Sequence, residues 1–598
     1  MISTRRYTAY FLLAALVIFT VTRFREGIIS TARIRYETYF PSGAKKNSDG
    51  KFHWSDVPVR YPVQTLTQLP KGKARDLPKI QFAFKAEDAV SAIKRKQRQA
   101  AVKEAFEKSW NAYKKHAWMK DEVTPLTAQF KNGFGGWAAT LVDSLDTLWM
   151  LDMKDEFEEA VRSAMNIDLG MATMETINVF ETTIRHLGGF LACYDVSGDK
   201  RCLVKAKEFG EMLLKAFDTP NRMPITRWKP QEAINGAQVA DEVVLIAEIG
   251  SLTMEFTRLS QVTGDMRWYD AVDRIMRAFV KQIDDTHLPG MFPVSLNATS
   301  MDFTQDTFFT LSAMSDSFYE YFPKMHALLG GLEPIYQKLY QRSMETAIKY
   351  NLWRPMVPDE ADILMSGNAR VQMGAPPILE AQGQHLVCFA GGMFAVGGRL
   401  FEEEAHVKIG QKLTDGCIWT YKHSPLGVMP EVFNMMPCPS RVEECKWDEQ
   451  KWLDEMKTHA DTKEEDGEAV AKRLRIPKGF VGVWDRKYQL RPEAIESVFI
   501  LYRTTGKTYL LDAAWEMFQA IIAATETPIA YAALSDVTYS KKEVEGGMNI
   551  KMDSMESYWM AETLKYFYLI FSEPDSISLD EWVFNTEAHP LRRPVANK

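Results

Sequence analysis

Three times along this chain the same short pattern recurs. A run with apolar residues at helical spacing meets a Ser/Thr-Gly stop, and a second helical run follows. The segment 191–199 leads into 203–209, 256–265 into 268–276, and 501–507 into 509–517. Glycine adopts the left-handed turn that ends a helix at no steric cost, and an Asp beyond it caps the next helix. The stops at Gly198 and Gly264 lie about 66 residues apart, the length of a helical hairpin plus its return loop. Periodicity along the whole chain gives about fourteen helical segments, so the fold class is all-α. Repeated helical hairpins build either an open solenoid or a closed ring, and periodicity does not choose between them.

The first part of the chain reads differently. Arg5 and Arg6 precede an apolar run over 7–22, and Arg23 and Arg25 close it. As a helix this run spans roughly 24 Å, somewhat less than a bilayer core of about 30 Å. No convincing small-x-small cleavage site follows, so an uncleaved type II signal anchor is expected over 7–22, with a cytoplasmic tail over 1–6. A cleaved signal peptide is the rival. Residues 23–86 are polar, contain Pro, Gly and Lys, and read as a stem. The helical body is expected over 87–598, with a charged insert at 438–479 that reads as a solvated surface loop.

With 598 residues and 46% hydrophobic content the chain can bury a large core. The net charge of −7 and the scattered basic residues exclude nucleic acid as an expected partner. Six cysteines are too few for a disulfide scaffold. Their pairing is not deducible from spacing, although Cys438 and Cys445 are close enough to pair locally, and Cys193 and Cys202 stay unassigned. Asn297-Ala298-Thr299 is a glycosylation acceptor, consistent with a lumenal body.

Near the C-terminus, Met555 to Phe571 is apolar on almost every face yet carries Glu556 and Glu562. A helix with so little polar surface is normally enclosed, and an enclosed carboxylate needs a cation or hydrogen-bond donors beside it. A compact polar turn follows, Asn585-Thr586-Glu587-Ala588-His589-Pro590. The strings DSMESYWMAETLKY (553–566) and FNTEAHP (584–590) resemble signatures of the class I α-1,2-mannosidases, glycoside hydrolase family 47. The resemblance covers about Ala100 to Leu591 and implies a ring, an (αα)7 barrel plugged by the C-terminal turn. It also implies a catalytic Ca2+ held by Thr586 through its hydroxyl and carbonyl.

Hydrolysis of a glycoside needs an acid at the leaving oxygen and a base for water, and carboxyl groups supply both. Three resembling strings select them. In FETTIRHLGG (180–189), Glu181 and Arg185 lie at i, i+4; the resemblance makes Glu181 an acid, with Arg185 holding it or the substrate. In DSFYEYF (316–322) it makes Asp316 a further catalytic carboxylate, and Pro323 suggests a local kink. In RPEAIES (491–497) it makes Glu493 the general base and Glu496 a holder of water near the cation. Glu556, Glu562 and Glu587 are expected around the ion through waters, and Tyr558 against the sugar. Arg491, Glu431 and Glu248 are further expected pocket residues. The string over 135–148 matches as well, with no catalytic role assigned to its aspartates. A Cys388–Cys417 disulfide is implied.

The function expected from this resemblance is calcium-dependent, inverting exo-α-1,2-mannosidase activity on high-mannose N-glycans in the Golgi or endoplasmic reticulum. Members that remove one specific mannose carry Arg two residues before the catalytic Asp. Here that position is Met314, which favours Golgi-type trimming of several branches. The alternative is a lectin-like quality-control homologue that binds misfolded glycoproteins.

Overall fold

A computed structural model describes residues 52 to 596 except 373, 464 and 595. The expected tail, the anchor at 7–22 and the first part of the stem lie outside the described residues. Among those described, no helix is long and apolar enough to cross a membrane.

The three repeats are helical hairpins. Gly188–Ser197 turns at Gly198 (φ 75°) into Lys200–Leu214, and Asp199 caps the second helix by accepting from the Arg201 amide. Thr253–Thr263 turns at Gly264 (φ 76°) into Arg267–Gln282, and Glu493–Thr505 turns at Gly506 into Tyr509–Thr525. In each case the glycine occupies the left-handed region that a side chain disfavours.

Successive hairpins touch through their first helices. Leu145–Met150 packs on Gly188–Ser197, which packs on Thr253–Thr263, then on Asp316–Leu328, Phe389–Leu400, Glu493–Thr505 and Leu564–Ile570. Trp559–Thr563, the π-helical turn that opens the last of these, touches Leu145–Met150 again, so the order of contacts returns to its start. These helices are buried on nearly every side; Asp316–Leu328 is buried from Ser317 onward. The helices that follow them are amphipathic and form an outer layer, for example Arg267–Gln282. Ala89–His116 covers the outside of Leu564–Ile570. Asp316–Leu328 continues through Pro323.

The C-terminal turn lies among the inner helices. Trp582–Phe584 pairs antiparallel with Pro590–Arg592, and the two strands contact the helices Asp316–Leu328 and Gly188–Ser197. Asn585 organises the turn between them. Its Oδ1 accepts from the amides of Glu587 (3.0 Å) and His589 (2.8 Å), while its Nδ2 donates to the Ile184 carbonyl and to Glu255. Gly188 makes room for this: a Cβ there would lie 2.7 Å from Asn585 Nδ2.

Two expectations from composition are corrected. The segment read as a stem over 23–86 is, from Phe52 onward, laid on the body. Trp54 is buried and donates to the Leu169 carbonyl, Asp218 accepts from the amides of Arg60 and Tyr61, and Asp580 accepts from that of Ile80. A polar sequence packs here because its backbone amides find buried carboxylates. The insert at 438–479 is not a solvated loop. It contains the helices Glu449–Lys457 and Gly467–Leu474, a Cys438–Cys445 disulfide, and buried Trp452 donating to the Phe480 carbonyl. Trp452, Met456 and Val470 are buried within it, which its charge density hides in the sequence.

Cys388–Cys417 is bonded as the resemblance implied, and the unassigned pair forms Cys193–Cys202. Asn297 stands at a turn, its Oδ1 accepting from the Ser300 amide.

Candidate active site

One cavity of about 280 Å³ gathers carboxylates from distant parts of the chain. Glu181, Asp316, Glu493, Glu496, Glu562 and Glu587 line it together with Thr586, Arg185, Arg491, Tyr558, Glu248 and Met314. In all, eight carboxylates face three arginines there, the remaining members being Glu320 and Arg227. Mutual repulsion in a desolvated space must therefore raise the affinity of some of these groups for protons, or of the site for a cation.

The placement follows from helix starts. Glu493 opens its helix directly after Pro492, where the free amides of the first turn favour negative charge. Asp316 opens the helix Asp316–Leu328 and accepts from the Ser317 amide at 2.9 Å. Glu181 closes the short helix Val179–Glu181, capped by Asn178.

The two groups at helix starts have opposite electrostatics. Burial would raise the Glu493 carboxyl, but a 2.8 Å hydrogen bond to His385 and the charge of Arg491 outweigh it and hold it below the usual range. His385 is itself fixed by Tyr421 at 2.7 Å. Asp316 lacks such a partner. Burial pushes it up to about 7, and the neighbouring charges of Glu320 and Glu493 add to this. One carboxyl is thus kept ionised and the other holds a proton close to neutrality, the combination that acid–base hydrolysis requires.

Arg185 ties the second cluster together. It donates to Glu181 and to Glu587, each at 2.8 Å, and to Ser557 at 3.1 Å. Burial disfavours its charge, but Glu587 and Glu181 more than restore it. Burial pushes Glu587 up to about 8 despite Arg185, with Asp143 and Glu181 adding to the rise. Glu562 is raised well above the carboxylate range by burial and by the charges of Glu587 and Glu493. Burial likewise takes Glu496 up to about 8, against the pull of Lys324. Tyr558 donates to the Gln489 carbonyl at 2.9 Å, with the guanidinium groups of Arg185 and Arg491 near its ring.

Two residues expected at the site are not part of the cavity lining. Glu431 is buried behind Arg491, from which it accepts at 2.5 Å, so it orients that arginine instead of lining the cavity. Glu556 precedes the π-helical turn that begins at Trp559 and is not among the residues lining the cavity. It lies beside Glu122, whose carboxyl is raised well above the usual range by burial and by the Glu556 charge. Glu248 lines the wall and pairs with Arg227. Met314 stands at the rim, 53% exposed, in a left-handed conformation (φ 71°).

Several contributors carried no signal in the sequence reading. Arg227 and His385 sit in none of the strings that carry the resemblance to catalytic motifs. The aspartates of the 135–148 string prove structural: Asp143 accepts from Ser557, and Asp146 pairs with Lys565 and His589.

Suitability for calcium is read from the donor set. Thr586 and the carboxylates beside it offer only oxygen, as a hard divalent ion prefers, and the raised acids mark uncompensated negative charge. Among the described residues no three His, Cys, Asp or Glu side chains form a ready-made cage. An ion here would therefore rest on Thr586 and on water held by the glutamates.

Comparison with known proteins gives concordant results. The sequence profile of glycosyl hydrolase family 47 matches residues 105–593. The chain is 32% identical over 501 residues to the human endoplasmic reticulum mannosyl-oligosaccharide 1,2-α-mannosidase, covering 83% of this chain and 64% of that one. It therefore spans less than two thirds of the human relative's length. A mannosyl-oligosaccharide 1,2-α-mannosidase of Arabidopsis thaliana is also 32% identical, with 84% of this chain and 80% of the relative covered. Among solved structures, the α-1,2-mannosidase from Trichoderma reesei superposes with a TM-score of 0.71 at 29% identity, covering 83% of this chain and 99% of that one.

Proposed function

The chain belongs to glycosyl hydrolase family 47, and from that premise we propose that it is a calcium-dependent, inverting exo-α-1,2-mannosidase acting on high-mannose N-glycans. We read the closed order of helix contacts as an (αα)7 barrel, with the NTEAHP turn at the floor of its pocket. The observation that carries the function is the convergence of Glu181, Asp316, Glu493 and Thr586 on one sugar-sized cavity.

In the proposed mechanism Glu493, kept ionised by His385 and Arg491, takes a proton from the attacking water. Asp316 holds the proton destined for the leaving oxygen, and Glu181, oriented by Arg185, reaches that oxygen through a water. Bound calcium supplies a hard positive centre for adjacent sugar hydroxyls. Arg491, Arg185 and Tyr558 position the ring. A lectin-like homologue has no need of an ionised carboxyl opposite a protonated one, so that pairing favours the enzyme.

The electrostatics set a pH profile. Activity needs Glu493 ionised and Asp316 protonated. Therefore kcat/KM rises as pH increases through a value below 4.5 and falls as pH increases through about 7. Asp316→Asn should remove the alkaline limb. If Glu181→Gln removes it and Asp316→Asn leaves it in place, the proton belongs to Glu181.

Met314 places no cation at the rim, which supports trimming of several branches. The test is digestion of a nine-mannose N-glycan with and without chelator. Cleavage should continue past the eight-mannose product, stop on chelation and resume with added calcium. A stall after one mannose defeats the broad-trimming reading, and indifference to chelator defeats the calcium reading.

Three disulfides fit an oxidising compartment, and the Asn297 sequon at its turn suits a lumenal body. We therefore place the protein in the Golgi or endoplasmic reticulum, with 7–22 as its membrane anchor.

A further inference from the structure

The cavity is small. At about 280 Å³ it lies at the bottom of the usual range for small-molecule sites, roughly 300–1,000 Å³. It has room for a terminal sugar, so the rest of any oligosaccharide must lie outside. What borders the mouth then decides how the remainder is held.

One border is a three-stranded antiparallel sheet made of Gln382–Gln384, Val432–Met435 and Phe480–Asp485. Gly383, Phe433 and Val483 point into the core. The opposite face carries Gln382, Gln384 and Asn434, none of them fully buried. Trp484 joins this face through a bulge: Val432 pairs with Asp485 and Phe433 with Val483, leaving Trp484 as the extra residue. Bulges redirect a side chain in this way beside active sites.

Trp484 is 64% exposed, yet it is held in place. Its indole Nε1 donates to Asn434 Oδ1 at 2.6 Å, and Asn434 Nδ2 donates to the Ala381 carbonyl. The ring lies across Gly482, where a Cβ would come within 3.3 Å of it. One face of the indole rests on backbone and the other meets solvent. His459, from the insert, stands edge-on at 6.2 Å.

The strip is continuous with the cavity. Gln384 accepts from Ser312 at 2.5 Å, two residues before the rim residue Met314. The strand Gln382–Gln384 leads directly to His385 and to Leu386, which lines the cavity. By strand spacing, Asn434 lies roughly 8 Å from Gln384. The charged residues flanking the strip are paired with one another, Asp485 with Lys487 at 3.2 Å and Glu380 with Arg370 at 2.5 Å. An amphipathic ring beside neutral amides suits a neutral polyol better than a charged peptide.

We propose that Trp484, with the amides of Gln382, Gln384 and Asn434, forms an accessory site for a neutral oligosaccharide arm whose terminal sugar occupies the cavity. The inference rests on the mannosidase reading. Its test compares wild type, Trp484→Ala and Trp484→Phe on a free nine-mannose N-glycan, on an α-1,2-linked mannose disaccharide, and on the same glycan attached to a glycoprotein. Trp484→Ala should lower kcat/KM on the free glycan about five- to tenfold, mainly through KM, and leave the disaccharide within about twofold of wild type. Trp484→Phe should restore most of the loss. Equal losses on glycan and disaccharide would mean a structural disturbance of the cavity and overturn the proposal. So would an unchanged rate on the free glycan, or a loss confined to the glycoprotein, which would mark a contact with protein. If the wild type cleaves neither sugar, the mannosidase reading itself falls and takes the accessory site with it.

Discussion

Glu493→Gln is expected to reduce kcat by about 10³- to 10⁴-fold while glycan binding stays measurable, the loss typical of removing a general base. The substitution keeps size and one acceptor oxygen, so one of the two contacts made by His385 and Arg491 keeps its acceptor while the other meets an amide NH2. What disappears is the ionised group whose charge those two residues sustain. Single-turnover hydrolysis together with calorimetric titration of the glycan separates the two effects. Near-normal turnover would remove Glu493 from the base role. Loss of binding in parallel with turnover would instead make it a residue that holds the substrate. His385→Ala should have a smaller effect and shift the acid limb upward, because Glu493 would lose its strongest stabilising partner while staying buried.

The second large effect concerns stability. Lys565 is fully buried and donates at 2.8 Å both to Asp146 and to the Ala588 carbonyl within the NTEAHP turn. Lys565→Met should destabilise the protein by about 3–5 kcal/mol, because it takes from the buried Asp146 carboxylate one of its two cationic partners and from the Ala588 carbonyl its donor. The midpoint of urea unfolding reads this out. Adding Asp146→Asn to Lys565→Met should cost less than the sum of the single changes, since each exposes the other's charge; strict additivity would mean the pair does not interact. The same network sets a pH window. Burial opposes ionisation of Asp146, but Lys565 and His589 lower its carboxyl, so this contribution is present above the unfolded value and is lost as pH falls through the folded one. For His589, burial is outweighed by Asp146 and Asp143. Its contribution is complete below about 6.5 and is lost as pH rises through its raised value.

The helical hairpins were legible in the chain itself, because their punctuation is local. Gly198, Gly264 and Gly506 must adopt left-handed backbone wherever the helices go, and Asp199 can cap only its own neighbour. The carboxylates proposed as catalytic were legible because each sits in a specific string at a helix start or end. Sequence position did not show that Glu431 lies behind Arg491 or that Glu556 lies beside Glu122, because both contacts join distant parts of the chain.

Local sequence determined which segments are helical, where they stop and which acids stand at their ends, since those depend on residues a few positions apart. Tertiary structure alone decided which of eight clustered carboxyls stays ionised and which keeps its proton. That outcome depends on His385 reaching Glu493 across 108 residues and on Asp316 having no such partner, and burial and charge act through space, where distance along the chain has no meaning.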